Sequence, residues 1–189
     1  QIVDFLHYNN LEELNSYKYN SAFYLRITYN NVVSKIKNSR LPPNTVQMLR
    51  LVLDEMDSVP IIVRSSSLLE DQQGSAFSGK YKSLFLTNRG TKAERLDALI
   101  DAVLEVYSSM YNPDAIQYRR EKNLLNVAEQ MGVLIQEVVG QQVGGYYLPA
   151  FAGVAFSHNS LRWSPRIKPE DGLVRMVMGL GTRAVDRIN

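Results

Sequence analysis

The residues best suited to phosphate chemistry lie between Pro60 and Leu86, in PIIVRSSSLLEDQQGSAFSGKYKSLFL. Ile61, Ile62 and Val63 read as a buried strand that delivers Arg64. A polar loop closed by Gly74 and Gly79 follows, and Tyr81, Ser83 and Phe85 then alternate as a second strand. An arginine at a strand end offers a planar, permanently charged fork of donors, and glycines let backbone N–H groups come close to phosphate oxygens. Ser75, Ala76 and Ser78, with Phe77 among them, leave room for a ligand. The same residues also fit a plain hairpin in which the glycines only make the turn and Arg64 pairs with Glu70 or Asp71.

A second phosphate-binding pattern overlaps this loop and fails on inspection. Gly74 to Lys80 reads G-S-A-F-S-G-K, the start of a P-loop, but Tyr81 stands where that motif requires a metal-binding Ser or Thr hydroxyl. A P-loop also opens a helix, whereas YKSLFLTN alternates like a strand and is rich in β-formers.

Taken together, VRSSSLLED and GSAFSGKYKSLF resemble the nucleotide-binding domain of the phosphoenolpyruvate synthase and pyruvate phosphate dikinase family. There, an arginine strand is followed by a small-residue loop and another strand. Four later segments resemble the same family in the same order: YNPDAIQYRRE (Tyr111 to Glu121), GVLIQEVVG (Gly132 to Gly140), AGVAFSHN (Ala152 to Asn159) and MGLGTRAVD (Met178 to Asp186).

The resemblance implies an α+β, ATP-grasp-like fold in which two lobes with antiparallel sheets grip ATP, here incomplete. Residues 1–130 would form the first lobe and residues 131–189 the start of the second. Arg64 would be the catalytic, ATP-contacting cation, with Gly74, Ser75, Ala76, Phe77, Ser78 and Gly79 around the phosphates. Gln136, Glu137, Val138 and Val139 would form the adenine hinge. An extended backbone between apolar walls can supply the donor and acceptor that adenine needs. Gln136 taken alone fits a core strand with one polar residue equally well.

The family also implies ATP as substrate and Mg²⁺ as cofactor, with the metal's ligands outside this chain. Its partner would be a phosphohistidine carrier domain of the same parent chain. That histidine sits in a Thr-Ser-His-type context which neither His7 nor His158 shares. A lysine-bearing glycine-rich segment ahead of Arg64, a metal-binding carboxylate strand and a Gln-x-x-Arg-Pro segment are expected in the family and are not found here. The expectation is therefore a fragment, inactive alone, of an ATP-dependent phosphotransferase. After the matching Gly179-Leu180-Gly181, Thr182 and Arg183 replace the usual Glu, so the acceptor stays open. Arg183 and Arg187 fit either phosphate or a pairing with Asp186.

Composition narrows the field without choosing a ligand. The chain of 189 residues is 45% hydrophobic and 21% charged, ordinary values for a globular domain. With 21 basic and 19 acidic residues its net charge is +2, so no global field argues for nucleic acid or a membrane surface as partner. The absence of cysteine removes disulfides and thiolate chemistry. Together with the lack of a long apolar run or signal-like start, this is compatible with a cytoplasmic protein.

The elements that must position the site follow from periodicity. Asn9 is suited to cap a short helix through Glu12 and Glu13, and Ser21 to Lys37 reads as a helix. Pro42-Pro43 breaks the chain, and Asn44 is suited to cap a helix whose apolar stripe is Val46, Leu49, Val52, Leu53 and Met56. Thr91 starts a long scaffold helix with Leu96, Leu99, Val103 and Tyr107 on one side. A further helix begins at Asn112-Pro113 and carries Arg119 and Arg120, with Arg119 expected as a salt-bridged scaffold residue ahead of a ligand. From Gly132 onward three apolar segments follow one another as strands, which favours an antiparallel sheet among them.

Three rival functions share this pattern. A regulatory nucleotide-binding module would keep Arg64 and the loop but lack catalysis. A dikinase with another acceptor, such as a glucan or an antibiotic, would differ elsewhere in the parent. A structural domain would bind no ATP.

Overall fold

A computed structural model describes residues 1–57, 59–67, 69, 80–127, 129–159 and 164–179. The chain divides into two compact units, Gln1–Val138 and Val139–Asn189.

The first unit is helical around a small sheet. Helix α1 (Ile2–Tyr8), a 3-10 helix (Glu12–Tyr19), α2 (Ala22–Lys37) and α3 (Pro43–Glu55) precede strands β1 (Ile61–Ser66) and β2 (Ser83–Leu86). Helices α4 (Lys92–Ser109) and α5 (Pro113–Glu121) and strand β3 (Gly132–Glu137) follow. The sheet order is β2-β1-β3 and both pairings are antiparallel. Strand β1 is central because its inward positions Ile61 and Val63 are wholly buried, and α4 packs against β1 and β2 on that face. Leu99, Val106, Ile116 and Ile36 complete the core between helices. Burial of such side chains contributes about 1.5–3 kcal/mol each.

Helix starts are set by local chemistry. Ser21 Oγ accepts from Tyr24 N–H at 3.2 Å. Thr91 and Glu94 form a reciprocal box, with Thr91 N–H donating to Glu94 at 2.8 Å and Glu94 N–H to Thr91 Oγ1 at 3.3 Å. Asn112 Oδ1 accepts from Asp114 N–H at 2.9 Å. Buried Arg95 ties α4 to the end of α3 by donating to Asn88 Oδ1 at 2.8 Å and to the Leu53 carbonyl at 2.7 Å.

Two expected caps are corrected. Asn9 closes α1 at its C-terminal end, and its side-chain amide donates to the Phe5 and Arg40 carbonyls at 2.8 and 2.9 Å, bridging two chain segments rather than starting a helix. Helix α3 begins one residue before Asn44, at Pro43, whose fixed φ suits the first helical turn; Pro42 holds the cap position and Asn44 lies within the helix.

The expected sheet of consecutive strands after Gly132 is also corrected. Strand β3 pairs along its whole length with β1, from Ile61 opposite Glu137 to Ser66 opposite Gly132, and so belongs to the first unit. Val133 and Ile135 alternate onto the first unit's core, which draws the strand there. By compactness the chain parts after Val138, so β3 lies within the first unit.

The second unit contains two antiparallel pairs. Strand β4 (Gln141–Val143) meets β5 (Tyr146–Leu148), and β6 (Phe151–Phe156) meets β7 (Leu173–Met178). Gly144, with φ +60°, supplies the left-handed position of the tight β4–β5 turn. Among the described residues of this unit no apolar side chain is buried.

Candidate functional site

Strand alternation decides which side chains of the central sheet are available. In β1, Ile61, Val63 and Ser65 face the core while Arg64 and Ser66 are exposed. Residues directly opposite in antiparallel strands share a face. Arg64 is opposite Ser83 in β2 and Leu134 in β3, and Ile62 is opposite Phe85 and Gln136. One face therefore carries Arg64 and Gln136 on adjacent strands, with Phe85 at 53% and Leu134 at 42% exposure as apolar neighbours. Helix α4 lies on the opposite face.

The backbone at the end of β3 is sorted by the same geometry. Antiparallel hydrogen bonds fall on alternate residue pairs. Val138 N–H donates to the Pro60 carbonyl at 2.8 Å, so the next bonded pair is Ile62 with Gln136. Glu137, opposite Ile61, occupies the non-bonded position between them. Its N–H and C=O point away from β1, to an edge with which no other strand among the described residues pairs. Of the backbone groups expected to meet adenine, Glu137 offers both donor and acceptor, whereas the Val138 donor is engaged by Pro60. Val139 opens the second unit and is 84% exposed.

The loop residues Gly74, Ser75, Ala76, Phe77, Ser78 and Gly79 lie outside the described residues, as do Glu70, Asp71, Arg183 and Arg187. The two ends of that connection are described. Ser67 Oγ donates to Glu129 Oε1, and Tyr81 OH donates to Glu129 Oε2 at 3.0 Å. Beyond the loop, Lys80 places its ammonium 5.2 Å from the centroid of the Tyr118 ring, and the chain enters a strand rather than the helix a P-loop needs.

Arg119 is a scaffold residue. Its side chain is 2% exposed, its Nε stands 3.6 Å from Glu129 Oε2, and its Nη2 donates to the Val127 carbonyl at 3.3 Å. Neighbouring Arg120 donates to the Lys18 and Asn20 carbonyls at 3.3 and 2.8 Å, so this pair of arginines serves the interior. A cavity of about 530 Å³ borders Arg119, Glu129, Lys18, Tyr19 and Tyr111, and neither Arg64 nor Gln136 lines it. Burial holds the Lys18 ammonium below the usual lysine range, the Arg119 charge adds to this, and Glu129 opposes it.

Both histidines are exposed. His7 Nδ1 lies 2.8 Å from Glu12 Oε1 on the exposed end of α1, and His158 is exposed just past β6. Among the described residues no group of three or more His, Asp or Glu is placed to hold a metal ion. No helix among them is long and apolar enough to cross a membrane.

Sequence reasoning did not single out Glu129. The one signal available was an isolated acid two residues ahead of Met131, which is wholly buried at the entry to β3.

Residues 1–189 match the family described as pyruvate phosphate dikinase, AMP/ATP-binding domain. A phosphoenolpyruvate synthase of Deinococcus radiodurans is 29% identical over 123 residues, 65% of this chain and 14% of the relative. One from Pseudomonas aeruginosa is 29% identical over 119 residues, 63% of this chain and 14% of the relative. A probable phosphoenolpyruvate synthase of Methanothermobacter thermautotrophicus is 30% identical over 89 residues, 47% of this chain and 12% of the relative. The matched segments thus span about one-seventh of these relatives or less. Since the match runs from its first residue to its last, this α+β chain belongs to the AMP/ATP-binding domain family of pyruvate phosphate dikinase.

Proposed function

We propose that the exposed face of the β2-β1-β3 sheet is the ATP-binding surface of a dikinase-type phosphotransferase. The observation that carries this reading is the placement of Arg64 and Gln136 on one solvent-facing side of adjacent strands, beside an open edge at Glu137. Arg64 supplies the charged fork for phosphate oxygens, and the connection containing Gly74 to Gly79 supplies backbone donors. The Glu137 N–H and C=O read the adenine edge, and Phe85 and Leu134 give the face apolar surface. Val138 and Val139 extend this hinge as chain rather than through the Val138 donor.

In this reading Gln1–Val138 is the first lobe of an ATP-grasp-like fold and the strands after it begin the second. Catalysis in such a site rests on positioning and on stabilising the charge of the transferring phosphoryl group. Magnesium, when bound, would neutralise phosphate charge, and its ligands are assigned to residues outside this chain. The parent would pass a phosphoryl group from ATP to a histidine on another domain, and from there to pyruvate or a similar acceptor.

The test uses the full-length parent with Mg²⁺ and ATP labelled at the β-phosphate, beside an Arg64→Ala variant. Acid-labile label on the wild-type protein that is lost in the variant is the expected result. ATP binding without label would move the chain to a non-catalytic nucleotide module, and absence of binding would remove the nucleotide reading altogether.

A further inference from the structure

The connection between β1 and β2 carries the residues assigned above to the phosphates, and its two ends converge on one buried carboxylate. Ser67, the first residue after β1, donates to Glu129 Oε1, while Tyr81, two residues before β2, donates to Oε2 at 3.0 Å. Ser67 Oγ also accepts from Leu69 N–H at 3.1 Å, which turns the chain as it leaves the strand. On the other side, Lys82 N–H donates to Ser109 Oγ of α4 at 3.1 Å. The side chain of Glu129 is 3% exposed and is faced by the buried guanidinium of Arg119.

A carboxylate suits this position chemically. It accepts on both oxygens at once, whereas a glutamine accepts on one and presents donors on the other. Bonds to an ionised acceptor are also stronger than neutral ones. Joining the two ends of a connection removes closure entropy that a ligand would otherwise oppose on binding.

We propose that Glu129 is a positioning residue for the nucleotide site. By holding Ser67 and Tyr81 on its two oxygens it closes the ends of the β1–β2 connection on each other, and so sets the affinity for ATP without touching it. The inference rests on the proposed function of that connection.

The experiment is ATP titration by calorimetry on the full-length parent as wild type, Glu129→Gln, Ser67→Ala, Tyr81→Phe and the Glu129→Gln/Tyr81→Phe double variant. Glu129→Gln is expected to weaken binding about tenfold, with Ser67→Ala and Tyr81→Phe each weakening it by less. The double variant should weaken binding by less than the product of the two single effects, because Tyr81 acts through residue 129 and the glutamine keeps only one acceptor. A role in general stability would instead let the two effects multiply, and that outcome overturns the inference. So does wild-type affinity in Glu129→Gln. If Glu129→Gln does not fold, Ser67→Ala and Tyr81→Phe carry the test, and wild-type affinity in both overturns it. A wild-type parent that binds no ATP would sink the proposed function and this inference with it, whereas wild-type binding with an unaffected Glu129→Gln would sink the inference alone.

Discussion

Arg119 Nε and Glu129 Oε2 stand 3.6 Å apart with side chains 2% and 3% exposed, so each charge is buried against the other. Removing one member of such a pair strands the other in a medium that solvates it poorly. Arg119→Met is expected to cost about 3–5 kcal/mol, and the Arg119→Met/Glu129→Met double variant to recover part of that loss. Urea unfolding of the four proteins checks this. A neutral Arg119→Met would show that the pair does not hold α5 to the approach of β3.

Arg64 presents the opposite case. It is exposed on the open face of the sheet. Arg64→Ala should therefore change stability by no more than about 0.5 kcal/mol while weakening ATP binding at least about tenfold. Arg64→Lys keeps the charge but loses the planar fork and should fall between the two. Calorimetry beside a thermal melt separates the effects, and equal affinity in wild type and Arg64→Ala would remove Arg64 from the site.

Glu105 joins α4 to two lysines. Lys82 Nζ contacts its Oε1, and Lys37 Nζ lies 3.0 Å from its Oε2. The bond from Lys82 is the main cause that holds the Glu105 carboxyl below its ordinary value of 4.5, with Lys37 adding to it against burial. A lowered folded value means that this stabilisation is fully present above pH 4.5 and is lost as pH falls through the folded value. Glu105→Gln should thus be less stable by about 1 kcal/mol at neutral pH, with the gap closing in acid. Lys37 is shifted upward by Glu105 and Asp101, so its contribution is lost at the other extreme, as pH climbs through its raised value. Unfolding free energies measured along a pH series test the sign, and a gap that widened in acid would contradict it.

Gly153 in β6 lies opposite Met176 in β7. A Cβ there would lie 2.2 Å from the Arg175 carbonyl oxygen and 3.0 Å from Met176 Cα, both of them backbone atoms that cannot swing aside. Gly153→Ala is expected to part the two strands, at a cost of about 1–3 kcal/mol. Hydrogen exchange should quicken across Phe151–Phe156 and Leu173–Met178 while the first unit's core stays protected. Unchanged protection in those strands would mean that the pair accommodates the methyl group.

Much of this architecture was legible because it is local. The strand of Ile61 to Val63, the helix from Ser21 to Lys37 and the long helix after Thr91 all announce themselves through apolar period and capping chemistry. The ordered motifs pointed to the family that the whole chain matches. Less legible were the roles of Asn9 and Asn44, since each residue type fits several positions around a helix end. Periodicity marked Gly132 to Glu137 as a strand but carried no information on its partner.

The sequence by itself determined the residue types available to a phosphate site and the order of the elements that carry them. Both follow from composition and from contacts a few residues apart. Only the tertiary structure decided that β3 lies beside β1, which sets Gln136 on the face of Arg64 and turns the backbone of Glu137 to the open edge. It alone brought Ser67, Tyr81 and Arg119 onto Glu129, because such pairings form between residues distant in the chain wherever burial leaves a charge or a donor in need of a partner.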